Sequence, residues 1–91
     1  MVIERLIDLT RTACADSASR AMLGKVLEDA GVLRPSYGGD PYETAYAEGR
    51  RGVGLLLFEL LHACDEALPL RCMREYGQWL ARVEAEKQGG M

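Results

Sequence analysis

Arg50 and Arg51 are the residues of this chain best placed to do chemistry. They sit among Gly49, Gly52 and Gly54, where bare backbone leaves room for a flat or anionic group to meet two guanidinium forks. The segment GRRGVG has the outline of a nucleotide-binding loop, but such loops follow a strand and open a helix. Here Asp40 is positioned as an N-cap, Pro41 as the first helical residue and Glu43 as the third. The six residues therefore lie inside a helix that has already begun, and the loop reading is rejected. Tyr37 and Tyr42 flank the adjoining glycine loop, where they serve either as a binding lip or as its packing anchors.

Other constellations fail on spacing. His62 and Cys64, two positions apart on a helix, point in nearly opposite directions, whereas helical ligand pairs sit three or four apart; no metal is expected. The single histidine and Ser17, Ser19 or Ser36 supply the residue types of a hydrolase triad with nothing to bring them together. Glu84, Glu86 and Lys87 make a solvated helix end. The expectation is a protein with no catalytic residue, no metal and no cofactor.

The elements that position the arginines follow from periodicity. Ile3, Leu6, Ile7 and Leu9 recur at near-helical spacing, which predicts a helix over 2–14. Asp16 or Ser17 can cap a second over 16–30, carrying Met22, Leu23, Val26, Leu27 and Ala30 and ended by Gly31. A loop spans 31–39, with Pro35 and paired glycines. The capped third helix covers 40–66, and Pro69 enforces a break before a fourth over 70–87, with Leu70, Met73, Leu80 and Val83 on one side and Trp79 beside them. This is an all-α chain, a small bundle of about four helices with a long central third helix, and a single domain over 1–91.

At 100° per residue, Tyr42, Tyr46, Gly49, Val53, Leu56, Leu57, Leu60, Leu61 and Cys64 share one broad side of the third helix. Phe58 and Gly54 widen that arc past half the circumference, and Leu55 falls among the residues opposite. Such a helix should be covered on more than one side, either by the other three helices or, at Leu55 and Phe58, by a second copy of the chain. Three internal glycines cost a few kcal/mol together, at about 0.8–1 kcal/mol each. Ala45, Gly49 and Gly52 form a ridge without side chains, suited to a close helix crossing or to a ligand. Arg50 falls near the middle of the apolar arc and Arg51 at its margin. A buried guanidinium must be paired, so Arg50 is expected to meet Glu43, Asp8, Asp29 or a carboxylate of a neighbouring subunit.

Composition narrows the classes further. The chain has 91 residues, 48% hydrophobic and 27% charged, too apolar for a disordered segment and small enough that its core is thin. A net charge of −3 gives no basic face for general nucleic-acid binding. No apolar run approaches the ~20 residues of a membrane span. Three cysteines, Cys14, Cys64 and Cys72, fit no disulfide framework and are expected to be reduced thiols in a cytoplasm.

From Gly24 to Leu61 the chain resembles a small domain family of tailed bacteriophages and prophages, first named from a Bordetella phage. The residues that carry the resemblance are Val26 and Leu27, Tyr37, Asp40 and Pro41, Thr44, Ala45 and Tyr46, then Glu48, Gly49, Arg50 and Arg51. The first and fourth helices fall outside it. The resemblance implies a phage setting and supplies no catalytic residues. With it, the residues point to a non-enzymatic helical protein that acts by self-association and partner binding. The expected role is an accessory of virion assembly, in the host cytoplasm or incorporated in the virion. The alternative is an anti-defence protein that sequesters a small anionic nucleotide signal or docks on a host defence protein. Either way the partners expected are further copies of the chain and a phage or host protein.

Overall fold

A computed structural model describes residues 2–34 and 39–89. Tyr37, Pro35, Ser36 and the middle of the expected loop lie outside the described residues. Four helices run in chain order: α1 (Val2–Ala13), α2 (Ser17–Ala30), α3 (Pro41–Cys64) and α4 (Leu68–Gly89).

Local chemistry sets their ends. Asp16 caps α2, accepting from the Ser19 N–H at 3.0 Å and the Ser19 hydroxyl at 2.8 Å. Gly31 closes α2 in the left-handed region at φ 71°. Its N–H reaches the Glu28 carbonyl at 3.0 Å, and the Val32 N–H reaches the Leu27 carbonyl at 3.4 Å, so two carbonyls of the last turn are satisfied. Asp40 caps α3 through the Glu43 N–H at 2.8 Å, with Pro41 at the position where no donor is needed.

The bounds of α3 and α4 differ most from expectation. α3 stops at Cys64 because Asp65 turns extended, at φ −165°, and its carboxylate takes up the Ala67 N–H at 2.8 Å. Pro69 does not break the chain before α4. It sits in that helix's first turn, where a missing N–H costs nothing, and α4 starts at Leu68 and continues through Gly89.

α2 packs most extensively on α4, and α3 touches each of the other three helices. The core they enclose is small: Cys14, Leu27, Ala30, Val32, Leu61, Leu68 and Cys72, with Leu23, Leu55, Leu57, Phe58, Cys64 and Met73 packed partly against it. Two glycines make the close approaches. A side chain at Gly24 would collide with the backbone carbonyl of Cys72 on α4, and one at Gly54 with Ala30 and Val32 at the end of α2. Several residues expected on packed sides face water instead, among them Leu9, Met22, Val26 and Leu70.

The result is a slab. Its Cα trace measures 51 × 40 × 16 Å, with a radius of gyration of 15.4 Å. A compact chain of this length has a radius of about 12 Å. Among the described residues no helix is long and apolar enough to cross a membrane.

Candidate functional site

α3 presents two apolar stripes about half a turn apart. One faces inward. Gly54 and Leu61 are buried on it, while Ala47, Arg51, Leu55 and Phe58 are half-buried. The other carries Tyr42, Tyr46, Gly49, Val53 and Leu56, all exposed, with Tyr42 at 88% and Val53 at 70% of full exposure. The expected enclosure of α3 on several sides is therefore overturned within the protomer. α1, α2 and α4 cover one face, and among the described residues no helix lies over the opposite one.

Two further expectations are decided with it. Leu55 and Phe58, for which either the other helices or a second copy was expected as cover, pack against the protomer's own core, which is the first of those alternatives. Arg50, expected to be buried and paired with a carboxylate, is exposed, and its guanidinium lies 5.4 Å from the centre of the Tyr46 ring. Arg51 takes the inner position that was assigned to Arg50, and its Nε is enclosed without a hydrogen-bond partner. The reason is a choice between edges of one wide arc. Gly54 seats against Ala30 and Val32, which turns the helix so that residue 51 points inward and residue 50 outward.

The glycines separate in the same way. Gly54 is used for the crossing with α2. A side chain at Gly49 or Gly52 would meet nothing within 4 Å, so the small-residue ridge with Ala45 is open on the protomer surface. Of the sequence-derived candidates, the structure groups Tyr42, Tyr46, Gly49, Gly52 and Arg50 on or beside the outward face. Arg51, Gly54, Leu55 and Phe58 are directed away from it. His62 is exposed, and the Cys64 thiol is turned toward the carbonyls of Ile7 and Leu60, at 3.6 and 3.5 Å.

A second polar centre, which spacing within one helix does not reveal, lies between α2 and α4. The Arg20 Nε donates to Glu75 Oε2 at 2.8 Å, and the Arg71 Nε donates to the same oxygen at 2.8 Å. A further Arg20 nitrogen donates to the Cys14 carbonyl at 2.9 Å. Hydrogen bonding from Arg20, ahead of that from Arg71, holds the Glu75 carboxyl below the ordinary carboxylate range although burial opposes it. Beside this clamp, Ser17, Ala21, Gln78, Trp79 and Arg82 line a groove of about 260 Å³. Burial pushes the Cys72 thiol up to about 11 and raises that of Cys14, its hydrogen-bonding neighbour. The only signal of this centre in the sequence is the Arg71–Glu75 spacing of four; the link to Arg20 spans 55 positions.

A family model described as Bbp19-like phage protein matches residues 10–74, more than two thirds of the chain. The chain belongs to that family. The Bbp19-like match contains the whole stretch from Gly24 to Leu61 on which the resemblance rests, and it extends further. It takes in the end of α1 and the first two turns of α4, so those helices do not lie wholly outside the family as expected. Both close crossings, at Gly24 and Gly54, fall within it, as does the entire outward stripe of α3. No curated protein and no solved structure matches the chain.

Proposed function

We propose that this Bbp19-like protein is a non-enzymatic helical building block, which associates with copies of itself through α3 and acts as an accessory of phage assembly, in the host cytoplasm or within the virion. The observation that carries this reading is the surface the protomer leaves wet. It exposes 6650 Å². A compact monomer of its 10.0 kDa exposes about 5,200 Å² by the usual size scaling. The surplus, roughly 1,400 Å², exceeds the ~800 Å² that each partner contributes to a standard interface. Apolar side chains at 60–90% exposure line up on one helix face within that surplus. Support for a binding role over a catalytic one comes from the titratable groups that do converge: the Glu75 carboxylate is tied up between the guanidinium groups of Arg20 and Arg71.

Light scattering coupled to size-exclusion chromatography, over a hundredfold range of protein concentration, tests the reading. A mass of at least twice 10.0 kDa at the upper end is expected. A monomer throughout rejects it.

A second reading has its own observation. Arg50 stacks on Tyr46 beside the open backbone of Gly49, an arrangement that would hold a small anionic ligand such as a cyclic nucleotide signal. Titration calorimetry with cyclic nucleotides tests it: Arg50→Ala should abolish binding without unfolding the chain, and an absence of heat with the wild type removes the idea. Docking on a phage or host protein would use the same outward face.

A further inference from the structure

The outward stripe of α3 carries Tyr42, Tyr46, Gly49, Val53 and Leu56, all exposed, followed by the half-buried Leu60. Their spacings alternate four, three, four, three, four. That is the seam of a coiled coil, an apolar heptad stripe that fits a second helix of like pitch knob into hole. Among the described residues no other helix covers it. A loop or sheet edge has no such period, so the occupant is a helix, and the surplus surface is what one copy in a symmetric pair would lose.

Side-chain volumes then decide how two copies meet. In a parallel, in-register pair each layer faces itself. Gly49 would oppose Gly49 and leave a void, beside crowded layers in which Tyr42 and Tyr46 oppose their own kind. In an antiparallel pair with its two-fold axis beside residue 51, Tyr42 opposes Leu60 of the second copy, Tyr46 opposes Leu56, and Gly49 opposes Val53. Every layer joins a larger side chain to a smaller one, and each contact occurs twice, as a two-fold axis requires.

We infer that this protein pairs with a second copy through an antiparallel α3–α3 coiled coil centred on residue 51. This rests on the self-association reading above and fixes its interface, direction and register. The same arrangement brings the two Arg50 side chains near the axis, each lying over its own Tyr46 ring. Their repulsion is screened by salt, so association tightens as ionic strength rises.

The experiment uses two charge variants of the full chain, Tyr46→Arg and Leu56→Glu, checked for helicity by circular dichroism and studied by sedimentation equilibrium alone and mixed one to one. Both positions are exposed in the protomer, so helix content should not change. Each variant alone should associate at least about tenfold more weakly than the wild type. The mixture should regain association, because residue 46 of one chain then faces residue 56 of the other as arginine against glutamate. Loss in both variants without recovery in the mixture overturns the antiparallel register while self-association through α3 stands. A wild type that associates and variants that match it overturn the α3 interface alone. A wild type that stays monomeric overturns this inference together with the reading it rests on.

Discussion

α2 and α4 approach each other through Gly24, where the Cys72 carbonyl occupies the space a methyl group would need, whereas Gly49 and Gly52 of α3 have open space over their backbone. The arginines divide along the same line. Arg20 is held by Glu75 and by a main-chain carbonyl, while Arg50 lies exposed over the face of Tyr46. Glycine in a helix interior costs about 1 kcal/mol relative to alanine. A close approach offsets that cost at both buried positions, to the backbone of Cys72 at Gly24 and to the side chains of Ala30 and Val32 at Gly54. At 49 and 52 nothing among the described residues does. The same residue types thus form a finished contact where a helix lies across them and an open seam where none does.

Gly24→Ala should destabilise the fold by about 3 kcal/mol, because backbone must move to admit the methyl. Chemical denaturation measures this, and an effect under 1 kcal/mol would mean that α2 and α4 are not so closely engaged.

The clamp between the same helices makes the next prediction. Glu75 titrates below its ordinary range in the folded protein, so its contribution is present above the unfolded-state value and is lost as pH falls through the depressed folded one. Thermal melts across the acid range should show the wild type losing stability there, and Glu75→Gln should start lower and flatten that dependence.

At the alkaline end the sign is reversed. The Cys72 thiol is raised from 9.0 to about 11, so the unfolded chain ionises first, and stability should decline from pH 9 to 11. Cys72→Ala should reduce that decline, leaving the share that comes from the raised Cys14 thiol. In the folded protein, Cys72 should also be the slowest of the three thiols to react with a disulfide reagent, being fully buried.

The smallest effect sharpens the contrast. Gly49→Ala should stabilise the protomer by about 0.8–1 kcal/mol, since the methyl enters open space and improves helix propensity. Paired melts at low protein concentration check it, and a loss of stability there would place something over Gly49.

Much of the fold was legible because capping chemistry is local. Asp16, Gly31 and the Asp40–Pro41 pair act within one turn of where they stand, and each sets a helix end as its sequence context indicates. Pro69 misled because the same property that ends a helix also suits its first turn. The candidate site was legible as a region but not as a face. Adjacent residues differ by 100° around a helix, and α3 is apolar on both sides, so the choice of inward edge falls to contacts far along the chain. Ala30 and Val32, meeting Gly54, make that choice and exchange the roles expected of Arg50 and Arg51. Likewise, Gly49, Gly52 and Gly54 look equivalent in sequence, and only tertiary packing shows that one of them is used.

A body whose Cα trace is 16 Å thick keeps few groups more than one side chain away from water. Its melting therefore hydrates little new hydrocarbon, and the heat-capacity increment should fall short of the ~12–15 cal/mol/K per residue of ordinary domains. Dilute samples should accordingly show a broad, shallow calorimetric endotherm and a weak response to urea, both steepening once dry contacts form between copies.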